Sequence, residues 1–503
     1  MNAIPRMACA SSDESITWSS INWVDCDRNV RKLQARIVKA VGRGRWGKVK
    51  ALQWLLTHSL SGKAFAVKRV TENKGKRTPG VDGEIWARPA TKTRAMLSLK
   101  RRGYKPQALR RVYIPKSNGK PRPLGIPTMK DRAMQALHLF ALDPISETTA
   151  DKHSYGFRKG RATRDALQQC FKLLCRSKTS PKWVLDADIK GCFDNISHDW
   201  MLSHIPMDKT VLRKWLEVGF VDGARWFPTE AGTPQGGIAS PTLANMVLDG
   251  MERRLADSFK RKAGKNAFHP KVRLVRYADD FVITGATKET LELVREEIAA
   301  FLAERGLSLS LEKTKIVHIS EGFNFLGCNV RTYRGKLLIK PSKDAQLRVR
   351  RKLHDMIREK RTAEQRNLIL LLNPVILGWA EHFRNFVAKD AFGKLDSELW
   401  GALWRWAKRR HPYKNRWWIA DRYFHTIGSR RWVFAVKKNG GDQRLANVWV
   451  KLAKAADTKI RRHVKIKADA NPYDPEWRSY FRDRARSMPG PRRALERLEP
   501  NAG

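Results

Sequence analysis

Four consecutive residues, Tyr277, Ala278, Asp279 and Asp280, join the run Val272–Arg276 to the run Phe281–Gly285. Two β-prone runs meeting at paired acids read as a hairpin with the carboxylates at or beside its turn. Two ionised carboxylates about 4 Å apart repel by roughly 4 kcal/mol at an effective dielectric of 20. A divalent cation offsets that repulsion, and oxygen-only ligands suit Mg2+ or Mn2+. A solvated Asp-Asp turn is the plainer reading of a lone pair, so the metal reading requires a partner carboxylate elsewhere.

The partner lies upstream. The stretch Trp183–Ile189 alternates, which places Trp183, Leu185, Ala187 and Ile189 on one face of a strand. Asp186 and Asp188 then project from the opposite face, where a packed sheet does not tolerate them unpaired. Residues 190–196 follow as a tight exit carrying one aromatic, Phe193. Asp188 with the 279–280 hairpin is the acid set that two-metal phosphoryl transfer requires: one ion activates an attacking 3′-hydroxyl and the other stabilises a leaving pyrophosphate.

The elements that would carry these acids recur in a fixed order. Residues 78–83, 114–135, 153–158, 185–196 and 232–245, the aspartate hairpin, 306–315 and 323–327 together resemble the sequence blocks of group II intron-encoded reverse transcriptases/maturases, over roughly residues 64 to 430. The resemblance implies an α+β fold: a right-hand polymerase with fingers and an antiparallel palm sheet, then an α-helical thumb/maturase domain, then a small basic C-terminal domain. It implies an N-terminal extension over 1–63, fingers over 64–150, palm over 151–340, maturase domain X/thumb over 341–430 and a DNA-binding segment over 431–503. Within these, Val30 to Leu60 reads as one helical stretch, Lys343 to Arg366 as a basic helix, and Pro374 as the start of another helix.

Composition agrees. Lys and Arg number 100 against 49 Asp and Glu, a net charge of +51. A charge of that size predicts a polyanionic partner, since phosphate neutralisation releases counterions and drives association. No apolar run reaches the ~18 residues that span a bilayer, so no membrane partner is expected. Six cysteines without a CxxC pair point to a reduced, cytosolic chain. No pattern indicates an oligomeric state.

The resemblance also implies roles. Asp188 and Asp279 would chelate two Mg2+ ions (Mn2+ being the alternative), with Asp280 supporting and the Ile189 carbonyl completing one shell. Lys116 and Arg122 would hold the triphosphate of a dNTP, because Lys and Arg give charge-assisted contacts to phosphate. Phe193 would exclude a ribose 2′-hydroxyl, Gln235 and Gly236 would line the nucleotide pocket, and Phe325, Leu326 and Gly327 would form a primer grip. Lys313 and Lys315 both lie where a proton donor to pyrophosphate is expected.

Eight of the 18 tryptophans fall between Trp379 and Trp449, interleaved with Arg and Lys. Trp379, Trp400 and Trp404 are expected to fill a helical core, leaving Arg405, Lys408, Arg409 and Arg410 as candidate RNA contacts. The implied activity is RNA-directed DNA synthesis by a protein that also binds group II intron RNA, assists its splicing and copies it at a target DNA. A splicing-only maturase with a vestigial polymerase site is the alternative, and an RNA-dependent RNA polymerase shares the metal chemistry. Many relatives continue into an HNH endonuclease with paired CxxC elements. No cysteine follows Cys328, and endonuclease activity is not expected.

Overall fold

The alternation at Trp183 produces an inner strand of a four-stranded sheet. In the computed structural model, which describes residues 17–115, 119, 121–233, 236–260, 268–437 and 449–487, this sheet has the order Arg273–Tyr277, Asp280–Gly285, Trp183–Asp188, Lys315–His318. All neighbours are antiparallel. Period-2 alternation splits its apolar side chains between two cores. Leu185, Ala187, Leu274, Phe281 and Ile283 enter one core, while Val184, Val275 and Val282 enter the other. The helix Lys288–Ala303 covers the first face, its stripe Leu291, Val294, Ile298 and Phe301 spaced for one side of a helix and Thr287 capping its start. The helix Thr163–Leu174 covers the second.

A smaller sheet stands beside this one. Strands Leu109–Pro115 and Pro121–Ile126 form an antiparallel pair. The first of them pairs in parallel with Phe220–Asp222, which in turn pairs with Arg225–Phe227. The long helix Met129–Thr149, capped by Thr128, follows and packs against the helices Trp23–Gly42, Trp46–His58 and Leu60–Thr71.

The helical stretch expected from Val30 to Leu60 is broken. Helix Trp23–Gly42 ends and Trp46–His58 begins anew. Gly44, at φ 65°, lets its N–H reach the Val41 carbonyl (2.9 Å) and the Arg45 N–H reach the Ala40 carbonyl (3.0 Å). That pair of bonds is a Schellman stop.

The maturase-like region begins with helices Lys343–Glu359, Gln365–Phe383 and Lys389–Arg410. Pro374 does not begin a helix, as expected from sequence, but sits inside Gln365–Phe383. An interior proline costs about 3 kcal/mol. The stripe Leu368, Ile369, Leu372, Ile376 and Phe383, all buried, outweighs that at about 1.5–3 kcal/mol per side chain. After helix Arg416–Tyr423 the chain forms a three-stranded sheet, Phe424–Ile427, Arg430–Lys437 and Trp449–Lys451, an addition to the helical thumb that periodicity did not indicate.

The tryptophan expectation also changes. Trp406 is the buried one. Trp400 is 40% exposed, and Trp379 and Trp404 are half-buried. The inward stripe of this helix is Leu395, Leu399, Leu403 and Trp406, which leaves Trp400 and Trp404 on its flank.

Finally, residues 463–484 return to the palm. Asp165, fully buried on the helix Thr163–Leu174, bonds to His463 Nε2 at 2.8 Å, Arg484 at 2.6 Å and the Ile466 N–H at 2.8 Å. Burial alone would raise the Asp165 pKa, but the His463 hydrogen bond and the Arg484 charge hold it below the ordinary carboxylate range. Tyr473 adds a hydrogen bond to Asp143 at 3.1 Å.

Candidate active site

The acids are set by a two-residue turn. Tyr277 pairs with Asp280, leaving Ala278 and Asp279 at the corner. Ala278 has φ 60° while Asp279 is not in the left-handed region, the pattern of a type II′ turn. Glycine usually takes that first position, and alanine there costs about 1–2 kcal/mol. Asp280 therefore opens its strand, and its register partner across the sheet is Asp188. Cα atoms so paired lie about 4.5–5.5 Å apart. Asp279 in the turn and Asp186 two residues before Asp188 complete a group of four carboxylates.

Their electrostatics are those of a crowd. Burial, then Asp186, Asp188 and Asp279, push the Asp280 carboxyl up to about 7. Burial followed by Asp188 pushes Asp186 up to about 6. Asp279 is also raised, by burial and then Asp188, against the lowering influence of Arg122 and Lys313. Lys313 Nζ donates to Asp188 Oδ2 at 2.5 Å, and that bond raises the Lys313 pKa. Lys315 instead pairs across the sheet with Asp186. Among the described residues no three Asp, Glu, His or Cys side chains already converge as a metal shell. The donor set nevertheless fits a hard dication, because every contributor is an oxygen and the carboxylates burden one another.

The Ile189 carbonyl stands just beyond. Bonds from Lys190 N–H to the Ser308 carbonyl (2.9 Å) and from Ser310 N–H to the Asp188 carbonyl (2.8 Å) bracket Ile189 opposite Leu309. In such a pair the enclosed residue's own carbonyl points away from its partner.

A buried network supports the hairpin from behind. Arg276, fully buried, pairs with Asp249 and donates to Asn245 Oδ1 at 3.3 Å and to the Ala278 carbonyl at 3.5 Å. Asn245 Nδ2 donates onward to the Gly156 carbonyl at 2.8 Å. The segment 153–158 lies against the same strand through Tyr155 N–H to the Arg276 carbonyl (2.9 Å) and Arg276 N–H to the His153 carbonyl (3.0 Å). A Cβ on Gly156 would fall on the Ala278 backbone, so only glycine allows this approach.

Phe193, half-buried on the short helix Cys192–Asn195, meets Phe157 edge-on at 6.2 Å. Phe157 is 56% exposed and has φ 58°. The Phe193 carbonyl accepts the Thr233 N–H at 2.6 Å, which draws the glycine-rich segment alongside. A Cβ on Gly236 (φ 118°) would sit 2.6 Å from the Gly125 carbonyl, so this loop also abuts the strand that carries Arg122. Gln135 fixes it by accepting the Ile238 N–H at 2.7 Å. Arg122 is exposed, and its charge reaches Asp279. Lys116 and Gln235 lie outside the described residues.

Phe325 is buried at the end of strand Phe323–Phe325, and Leu326 and Gly327 form a turn with φ 49° and 79°, both positive as a type I′ turn requires. The Gly327 carbonyl accepts the N–H of Ser342, the cap of the first thumb helix, at 3.0 Å. Arg405, Lys408, Arg409 and Arg410 are exposed on a separate helix. Arg410 is committed to the Arg361 and Ala363 carbonyls at 2.9 and 2.8 Å.

The structure thus gathers Asp188, Asp279, Asp280, Arg122 and Phe193, and adds Asp186, Phe157 and Arg276, to which the sequence assigned no role. An arginine in an apolar strand three residues before two acids was the available signal for Arg276. Phe157 had none, because its positive φ is not written in the local pattern.

Comparison with known proteins places names beside this geometry. Residues 114–330 match the family described as reverse transcriptase (RNA-dependent DNA polymerase). Residues 18–99 match the N-terminal domain of reverse transcriptase, and 346–424 match the group II intron maturase-specific domain. Protein YkfC of Escherichia coli (strain K12) is 34% identical over 321 residues, covering 57% of this chain and 82% of that protein. The group II intron-encoded protein LtrA of Lactococcus lactis subsp. cremoris is 30% identical over 331 residues, covering 54% of this chain and 55% of LtrA. The putative COX1/OXI3 intron 2 protein of Saccharomyces cerevisiae is 26% identical over 283 residues, covering 45% of this chain and 32% of that protein. The match therefore spans about half of LtrA and a third of the yeast protein.

Proposed function

We propose that this chain, which belongs to the group II intron-encoded reverse transcriptase/maturase family, copies RNA into DNA at the Asp188, Asp279 and Asp280 cluster and holds group II intron RNA through its maturase region. The observation that carries the reading is the register pairing of Asp188 with Asp280, with Asp279 in the adjoining turn and both hairpin acids raised by burial and by neighbouring carboxylates. Asp188, Asp279 and the Ile189 carbonyl would hold two Mg2+ ions, with Asp280 supporting them from its strand. Bound dications supply Lewis-acid stabilisation of the attacking and leaving oxygens.

The chain's own groups do the rest. Arg122, and Lys116 with it, hold the triphosphate of an incoming dNTP. Phe193, braced by Phe157, stands against the sugar and rejects a 2′-hydroxyl by its bulk. Gln235 and Gly236 line the base-pair pocket, and Phe325–Gly327 steady the primer. Lys313, already bonded to an active-site carboxylate, is the better placed of the two lysines to give a proton to pyrophosphate. The domain bounds given above, 64–150 for fingers and 151–340 for palm, remain our assignment, as do 341–430 for thumb and 431–503 for DNA binding.

In this reading the protein assists splicing of its intron and, after reverse splicing into a target DNA, extends the cut strand. The test is primer extension on an RNA template by the purified chain with Mg2+, with Mn2+ and with EDTA, run beside a splicing assay. Asp188→Ala should abolish extension and leave protein-assisted splicing. Loss of both activities, or of neither, overturns the divided assignment. Phe193→Ala should admit ribonucleotides.

A further inference from the structure

Of the tryptophans expected in a core, Trp379 packs on the buried Phe383 and Phe392, while Trp400 and Trp404 frame an open cavity. Trp400 and Trp404, one turn apart, stack with centroids 5.6 Å apart and planes 12° from parallel. Trp432 meets both edge-on, at 6.2 and 6.0 Å. Arg416 and Trp417, from the following helix, complete a cavity of about 550 Å3 lined by these five residues. Trp417 is 65% exposed. Large rings gathered at a surface mark a contact site.

Trp432 is aimed there by the backbone. Ile427 pairs with Arg430 and His425 with Val433, so Arg431 and Trp432 together oppose Thr426 in a bulge. Trp432 takes φ 60°, a conformation that bulky side chains rarely adopt. Bulges re-aim a side chain in this way.

Charge narrows the occupant. Between Trp400 and Trp432 the sequence has nine Lys and Arg against one acid, Asp421. Among the described residues no carboxylate lines the cavity and Arg416 does, which disfavours a cationic guest of the kind aromatic cages often hold. A neutral ring carried on an anionic backbone satisfies both the indoles and the surrounding cations. We propose that this cavity is a stacking site for unpaired nucleobases of single-stranded RNA, with Arg416 meeting the adjoining phosphate. The proposal deepens the RNA-holding role given above and rests on it.

The experiment compares two fluorescein-labelled probes at one salt concentration: an eight-nucleotide oligoadenylate and an abasic ribose-phosphate oligomer of equal length. Each is titrated with the full chain and with its Trp417→Ala and Trp417→Phe variants. Trp417→Ala should weaken oligoadenylate binding about tenfold, Trp417→Phe should restore most of it, and abasic binding should not change. Extension of a short pre-annealed template–primer should be unaffected, which shows the variants folded. Equal loss for both probes would reduce the site to charge contacts, and no loss for either would show that the cavity stacks no bases. Either result overturns the proposal. Wild-type protein that extends no primer would instead sink the polymerase reading, whatever the probes do.

Discussion

A cluster of acids at the palm hairpin and a single acid on a neighbouring helix are treated in opposite ways. At the palm hairpin, Asp186, Asp279 and Asp280 are crowded with Asp188, and burial with mutual repulsion raises them. On the helix Thr163–Leu174, Asp165 is buried more deeply than these half-buried acids, yet it is met by His463, Arg484 and a backbone N–H, and its pKa falls. A fold able to compensate one buried carboxylate so fully leaves the others short for a reason other than inability. On the function proposed above, the shortfall is where a bound dication would supply the missing positive charge. The satisfied acid is a joint.

Substitutions can break or sharpen that contrast. The largest effect should come from Asp279→Asn, which keeps shape and removes a ligand. RNA-templated extension should fall by about a thousandfold or more, with little loss of thermal stability. Extension within tenfold of wild type would end the contrast. At the joint, Asp165→Ala leaves His463 and Arg484 facing a hole, and breaking a buried pair costs about 3–5 kcal/mol. A depressed Tm and faster proteolysis within 449–487 are expected, whereas wild-type cleavage kinetics would show that the joint carries no load. Arg276→Lys keeps the charge but loses the fork that reaches Asn245 and the Ala278 carbonyl. Unpairing such groups costs about 1–3 kcal/mol. The expected readout is a kcat about tenfold lower with KM for dNTP unchanged, and a change confined to KM would refute a positioning role. Asp280→Asn removes one of the crowded charges, so metal-free protein should become more stable by about 1 kcal/mol. A lower Tm would show that the acids there are compensated after all.

The smallest effect is a pH dependence. Asp165 has a folded pKa below its unfolded value, so its stabilisation is present above the ordinary carboxylate range. It is lost as pH falls through the folded value. Proteolysis of 449–487 should therefore accelerate below about pH 4 in the wild type, and the Asp165→Asn variant should lack that acid-dependent step.

Much of the palm could be read from the chain before folding. Alternation fixed the faces of Trp183–Asp188, and the paired acids declared the hairpin, because both are short-range patterns with a period of two. The family resemblance supplied the fold class and the roles. What escaped was long-range or conformational. Pro374 was read as a helix start because propensity is local, whereas the apolar stripe that overrides it belongs to tertiary packing. Trp400 and Trp404 were read as core because hydrophobicity alone does not say which flank of a helix faces inward. Arg276 and Phe157 needed the fold to reveal a neighbour on another segment or an unusual φ. Lys313 was separated from Lys315 only when the register put one beside Asp188 and the other across from Asp186.

The joint at Asp165 has a temporal side. Its partner His463 is 298 residues further along the chain. At a synthesis rate of about 5–20 residues per second, some 15–60 s separate the two on the ribosome. Throughout that interval the helix bearing Asp165 emerges without its clamp and one palm core is incomplete. The nascent polypeptide must therefore wait half-assembled until His463, Ile466 and Arg484 have been translated and close it.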